Sequence, residues 1–341
     1  MGGNHLINRR SLLIRGGAAA SVLCAPNLLR AASNRELRLA HIFPTTHPYH
    51  LGLAKFAEEI AARTNGAVTA QVFPSAQLGG EIQILEGMNF GLVDGGAVAS
   101  GSIPSTHGVN RFHLLDMPYL LKDYEAAERF ATGEVGQQFR EGLPEEAGFR
   151  ILGYGASGFH QMVTRDQSVI EPKDVEGLKL RVWEAPGAKL ALELLGANPT
   201  PMAYGEVFSA LQQGVVDGLT NSLTTLYQTK MYEVTKHLAI TRHAYVWVPM
   251  VLSESAYQSV GEAERKEIDA AGEVATAYWR GLFPQQDAEY EAQFKAEGLN
   301  VTQADQAKFR AHVEGGYDRY ASLVDGDPDG LIPKLASIGG Y

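Results

Sequence analysis

A chain of 341 residues with 45% hydrophobic, 9% aromatic and 20% charged residues has the balance of a folded protein of about two ordinary domains. That excludes a small scaffold dependent on disulfide or metal staples, and a disordered or collagen-like chain. Twenty-nine Lys and Arg against 39 Asp and Glu give a formal charge of −10, so no global basic field gathers nucleic acid or anionic lipid, and an anionic ligand must be met by a local cation.

Residues 1–32 hold four arginines, Arg9, Arg10, Arg15 and Arg30, and no acid; taking these four from 29 leaves 25 basic against 39 acidic residues, a balance of −14. Arg9 and Arg10 precede Ser11-Leu12-Leu13 and a small-residue stretch over 16–23, which reads as a twin-arginine signal that exports folded cargo to the periplasm. Cleavage is expected near Ala31 or Ala32. A membrane anchor is disfavoured because Arg15 and Arg30 bracket only fourteen residues, fewer than a span needs. The single cysteine, Cys24, lies in this leader after Leu23, where a lipoprotein signal would want a small residue. The mature chain is therefore expected to be cysteine-free, which excludes thiol catalysis, disulfides and thiolate metal sites.

After the leader, residues 36–41 alternate as a strand, and 49–64 carry Leu53, Phe56 and Ile60 at helical spacing. Residues 67–73 return to strand, 81–89 to helix and 93–99 to strand, the grammar of a parallel sheet with crossover helices. The grammar restarts with strands at 149–152, 159–164 and 178–183 and a helix at 185–195. A helix at 205–213 capped by Gly214, a short strand at 215–216 and a helix at 224–234 follow. From residue 254 to about 298 the pattern is nearly unbroken helix apart from Pro284, long enough to brace two lobes. Without a repeat or a flexible linker, two α/β lobes joined by crossing strands are predicted.

Gly153-Tyr154-Gly155-Ala156-Ser157-Gly158 matches GxGxxG. A dinucleotide site requires a helix to open at the third glycine, whereas residues 159–164 read as strand. There is no GxxxxGK[ST], HExxH, GxSxG or EF-hand loop, and no cofactor is expected. His47 and His50, with His41 nearby, could ligate a metal, but loop and cap histidines are commoner. Along residues 177–183 (GLKLRVW), Leu178, Leu180 and Val182 share one strand face while Lys179, Arg181 and Trp183 share the other. At a cleft, Arg181 would offer a planar fork to a carboxylate and Trp183 an apolar wall; judged locally, a solvent-facing arginine is the ordinary alternative.

The wider context is more specific. Residues 177–182 (GLKLRV), 196–208 (GANPTPMAYGEVF) and 210–221 (ALQQGVVDGLTN) closely resemble the solute receptors of tripartite ATP-independent periplasmic (TRAP) transporters, the DctP-like family. Weaker echoes are His47-Pro48, 73–79 (FPSAQLG), Val93-Asp94, 116–120 (DMPYL) and 231–234 (MYEV). The resemblance implies a two-lobed periplasmic binding protein of type II-like α/β fold, with hinge strands and a long bracing C-terminal helix. Lobe I is expected over 33–158 and 246–286, and lobe II over 159–245 and 287–341. In that family the LRV-strand arginine pairs with the ligand carboxylate, an aromatic after the Pro-Thr-Pro-Met-Ala segment packs on the ligand, and an asparagine closing the DG-x-x-N turn hydrogen-bonds it. These roles fall on Arg181, Tyr204 and Asn221. Many members carry a second arginine after a Gly-Phe pair; here Gly158-Phe159 is followed by His160, which argues against a doubly clamped dianion, a buried structural histidine being the alternative.

Phe43, Ser100, Trp183 and Tyr245 lie at or just past predicted strands, where open α/β sheets bind ligands, although each could equally be core or surface. The expectation is a non-enzymatic, monomeric receptor that closes on a small organic anion, a carboxylate with an apolar, aromatic or ring-shaped body or a sugar acid, and delivers it to TRAP membrane subunits. Nucleic acid is not an expected partner. The rival readings are a receptor for another transporter or a sensor kinase, and an exported nucleotide-cofactor oxidoreductase using the glycine run.

Overall fold

The first helix, Pro48–Arg63, carries Leu53, Phe56 and Ile60 on its buried side, as the spacing predicts, and begins at His47, whose Nδ1 accepts from the Tyr49 N–H at 3.2 Å. This computed structural model describes residues 1–2 and 34–340; the export signal expected over 1–32 lies outside the described residues apart from Met1 and Gly2. Among the described residues nine strands form one sheet: β1 Arg35–Ala40, β2 Val68–Phe73, β3 Gly95–Ala97, β4 Phe149–Thr164, β5 Lys179–Val182, β6 Asn198–Pro201, β7 Gly218–Ser222, β8 His237–Ser253 and β9 Asn300–Gln303. Their order is β2-β1-β3-β8-β4-β7-β5-β6, with β9 also on β8.

Two parallel groups, β2-β1-β3 and β7-β5-β6, are held apart by the long antiparallel pair β4 and β8. The first group joins β8 at Met250–Leu252, and the second joins β4 at His160–Thr164. The crossing strands are thus shared by two half-sheets, which is the two-lobed architecture. Between the halves the ladder is irregular: His160 pairs with Ala244 but Met162 with Ala239, so three extra residues of β8 are extruded. Arg242, among them, takes φ 46°, a conformation a non-glycine side chain adopts only when its surroundings impose it.

The glycine run lies inside β4, which is continuous where two separate strands were predicted. No helix opens at Gly158, so the dinucleotide reading fails. The glycines make room instead: an added Cβ would approach Thr276 Oγ1 within 2.2 Å at Gly153 and Trp279 Cε3 within 2.3 Å at Gly155. Helix Glu262–Gly281 therefore packs its backbone close to the strand and buries Trp279 completely, a burial that stabilises by about 4–6 kcal/mol.

Other differences have local causes. The predicted long helix is three, Glu254–Gln258, Glu262–Gly281 and Phe283–Ala296. Gly261 starts the second and Pro284 sits in the first turn of the third, where its missing N–H costs nothing. The strand placed at 215–216 is β7 at Gly218–Ser222, while Gly214 caps helix Val207–Gln213 in the left-handed conformation, φ 74°. One apolar core gathers Phe56, Phe130, Trp247 and Trp279; two others lie around Leu180 and Phe309, and around Leu219 and Phe294. Tyr320, Leu331 and Leu335, within the 287–341 expected in the second lobe, pack in the first core. Among the described residues, no helix is long and apolar enough to cross a membrane.

Candidate functional site

Strand β5 lies between β6 and β7, with Arg181 in register with Thr200 and Leu219. Leu180 and Val182 face an apolar core, and alternation carries Arg181 to the other side. Arg181 is only 3% exposed, so the solvent-facing alternative does not hold. Its Nε and Nη2 donate to the Met202 carbonyl at 3.1 and 2.9 Å, and its guanidinium carbon lies 5.2 Å from the Tyr204 ring centre. It forms no ion pair with any described residue. Burial lowers its pKa to about 10, which still leaves a cation at neutral pH.

Around it a cavity of about 30 Å³ is lined on one side by Phe43, Tyr49 and Glu81, and on the other by Arg181, Trp183, Tyr204 and Asn221; Ser157, His160 and Val246 of the crossing strands close it. Six of the eight residues singled out from sequence are therefore together: Phe43, His160, Arg181, Trp183, Tyr204 and Asn221. Two are not. Tyr245 packs into the core against Phe159 and Trp247, with ring centres at 5.0 and 4.7 Å; alternation along β8 presents its neighbour Val246 instead. Ser100 is buried outside the lining, its backbone N–H bonded to the Trp247 carbonyl at 2.9 Å.

The polar side chains are ordered by one network. Ser157 Oγ donates to Asn221 Oδ1 at 3.2 Å, and that oxygen also accepts from the Ser222 N–H at 2.9 Å, while the Asn221 amide nitrogen lines the cavity side of the strand without a hydrogen bond to the described residues. His160 Nε2 lies 3.3 Å from Ser157 Oγ, and its Nδ1 is buried without a hydrogen-bond partner among the described residues. Burial, with His243 and Arg181 nearby, holds His160 neutral, well below the usual histidine range. Glu81, in the first turn of helix Glu81–Asn89, accepts from Ala99 N–H at 3.0 Å and Ser102 Oγ at 2.9 Å; burial raises its pKa, opposed by those two bonds and by Arg181.

The two halves meet over the cavity. Phe43 packs edge-on against Tyr204 at 4.9 Å, His47 Nε2 lies 3.0 Å from Thr225 Oγ1, and Thr46 bonds Gln228 at 3.1 Å. The three histidines weighed as metal ligands are used elsewhere: His47 caps a helix and His41 Nε2 lies 3.1 Å from His50 Nδ1. Among the described residues, no group of three or more His, Cys, Asp or Glu is placed to hold a metal ion. Sequence reasoning missed Tyr49, whose position reads as an ordinary helical stripe, and Glu81, for which a helix-opening acid after Gly79-Gly80 was the available signal.

The family model of bacterial extracellular solute-binding proteins, family 7 (DctP), matches residues 39–323. The chain belongs to this family. Among family 7 relatives, a solute-binding protein of Roseobacter denitrificans is 32% identical over 295 residues, 86% of this chain and 90% of that one. Its crystal structure with bound L-galactonate has a TM-score of 0.79 and 29% identity, covering 89% of this chain and 98% of that one. The C4-dicarboxylate-binding periplasmic protein DctP of Rhodobacter capsulatus is 31% identical over 81% of this chain and 82% of its own. A TRAP periplasmic solute-binding protein of Polaromonas, bound to D-erythronate, has a TM-score of 0.83 at 29% identity, covering 90% of this chain and 99% of that one.

Proposed function

We propose that this chain is an exported receptor that holds a small organic carboxylate between its two lobes and presents it to the membrane subunits of a TRAP transporter. The observation that carries the reading is Arg181, a buried guanidinium without an ion pair among the described residues, facing a cavity with Asn221, Tyr204 and Trp183. A buried cation is costly unless a charge compensates it, and a ligand carboxylate supplies that charge in a two-pronged geometry. The relatives bound to L-galactonate and D-erythronate, and the one named for C4-dicarboxylates, support a ligand among the organic acids.

Because Phe43, Tyr49 and Glu81 come from one half and Arg181, Trp183, Tyr204 and Asn221 from the other, a ligand touching both sets favours the closed form, and that differential affinity drives closure. The protein performs no reaction on its ligand in this account; the transporter supplies the energy. The lobes divide at 158/159 and 245/246, with residues 318–340 in the first. Export in folded form through Arg9 and Arg10 places the receptor in the periplasm. The test is a thermal-shift screen of the mature chain with organic acids, followed by calorimetry on each binder with wild type and Arg181→Ala. Loss of binding in the variant supports the reading; wild-type affinity without Arg181, or no organic acid bound, overturns it.

A further inference from the structure

His47 is fully buried without lining the ligand cavity; it lies where the two halves touch. Its Nδ1 accepts the Tyr49 N–H at 3.2 Å, so the proton of the neutral ring is on Nε2, which donates to Thr225 Oγ1 of helix Leu223–Gln228 at 3.0 Å. The ring stacks on Phe43 with centres 4.2 Å apart and meets Tyr49 edge-on at 4.7 Å. Across the cleft, Thr225 Oγ1 lies 2.9 Å from Ser222 Oγ, and the Ser222 N–H donates to Asn221 Oδ1 at 2.9 Å. One imidazole thus touches two cavity residues of the first half and reaches a third, on the second half, through two hydroxyl side chains.

We propose that His47 is a positioning residue of the receptor: in its neutral form it is the strut that couples closure of the lobes to the placement of Phe43, Tyr49 and Asn221, and protonation of His47 opens the cleft. The proposal rests on the receptor reading above and goes beyond it, since it makes closure respond to pH whatever acid is bound. A second proton on the ring would sit on Nδ1 and confront the Tyr49 N–H. The helix cap is then lost while a charge is enclosed between the halves. Opening withdraws Thr225 from one side of the ring and lets water reach the cation.

The groups around the ring do not offset that charge. From its own half they are His41, whose Nε2 lies 3.1 Å from His50 Nδ1, and the Tyr49 phenol. From the second half, Tyr204 packs on Phe43, and helix Leu223–Gln228 presents Thr225 and Gln228, which carry no charge. Glu81 lines the cavity with Tyr49, but among the described residues no carboxylate is bonded to His47. Burial, with His41 nearby, holds His47 well below the usual histidine range in the closed form, whereas water at the ring returns the open form toward about 6.5. The closed form therefore binds fewer protons. Closure is fully favoured above the open-form value and weakens as pH falls through it, by up to about tenfold per pH unit. His160, buried in the same cleft and also held neutral, acts with the same sign, so His47 has to be isolated by substitution.

Residues 33–341 contain no cysteine. Thr46→Cys with Gln228→Cys, at positions whose side chains meet across the halves at 3.1 Å, therefore gives a mature chain that is closed by oxidation and freed by reduction without any ligand. NMR titration of the histidine rings, with the His47 signal identified by its loss in His47→Gln, should show His47 charging at about pH 6–6.5 in the reduced chain and at least about one pH unit lower in the oxidised one. His47→Asn separates the strut from the cap, because asparagine caps a helix but is too short to reach Thr225. In glutathione buffer at pH 7 this variant should weaken the disulfide about tenfold, with an unchanged melting temperature of the reduced chain. Equal titration of His47 in the two forms, or an unchanged disulfide equilibrium in His47→Asn, overturns the proposal and leaves the receptor reading intact. Cysteines that do not join, or a radius of gyration identical in oxidised and reduced chains, overturn the closure of the receptor reading as well.

Discussion

A guanidinium held 3% exposed is useful to a receptor because its surroundings are fixed before the ligand arrives. The Met202 carbonyl fixes its plane through two bonds, so little orientation remains to be lost on binding. Losing it would leave a carboxylate buried and unpaired, at a cost of about 2–5 kcal/mol, and Arg181→Ala should weaken the bound acid by roughly 30- to 3000-fold. Arg181→Lys should recover only part, since an ammonium restores charge without the planar fork; full recovery would show that charge alone suffices. Asp116 gives a prediction without a ligand. Burial raises its pKa to about 8 against an ordinary 3.8, opposed by the Ala188 N–H. The folded protein keeps a proton there that the unfolded chain releases, so the group's contribution to stability is complete below pH 4 and is lost as pH rises toward 8. Denaturant unfolding should show wild type losing stability relative to Asp116→Asn across that interval; parallel pH curves would contradict the assignment. Arg181, Tyr204 and Asn221 could be found in the sequence because their motifs are contiguous, and Trp183 because it shares a strand face with Arg181. The burial of Asp116 and His243 could not, because nothing in a local pattern tells that a carboxyl or imidazole will be covered by a distant segment, and Glu81 offered only its place as a helix-opening acid. Tyr245 was misplaced by one residue, which in a strand exchanges cleft for core.

At the scale of elements, the glycines of β4 explain a motif that would otherwise suggest a nucleotide. Hydrophobic and turn patterns were enough to place β1, β2 and helix Pro48–Arg63 nearly to the residue, but they broke β4 in two because Gly153, Gly155 and Gly158 resemble turn residues when their packing partner, more than a hundred residues away, is out of view. The packing account predicts that Gly155→Ala, whose Cβ would lie 2.3 Å from Trp279, lowers stability by roughly 1–3 kcal/mol. Gly281→Ala, at the end of the same helix with no atom within 4 Å of the new Cβ, should be neutral or stabilising by up to about 1 kcal/mol. Equal effects of the two in chemical denaturation would mean that close strand–helix packing is not why the glycines are there.

The described residues form two half-sheets sharing two strands, and the pairing of those strands is irregular at Ala156–Gly158, next to the cavity-lining Ser157 and Val246, and at His160–Met162, where β8 extrudes residues around Arg242. Arg242 lies 3.9 Å over the Phe159 ring, and Tyr124 donates to Asp287, so a helix of the first half, the crossing strands and helix Phe283–Ala296 are joined at one point. In the proposed closure a bend there would move the halves relative to each other, and the contacts of Phe43, Thr46 and His47 with Tyr204, Gln228 and Thr225 would form or break together. The central claim is that a carboxylate on Arg181 draws these halves closed. Small-angle scattering of the mature chain, with and without a saturating organic acid confirmed by calorimetry, tests it most directly. The radius of gyration should fall on ligand addition at constant mass in wild type, and should not change in Arg181→Ala at the same acid concentration; superimposable curves for free and saturated wild type would contradict the account.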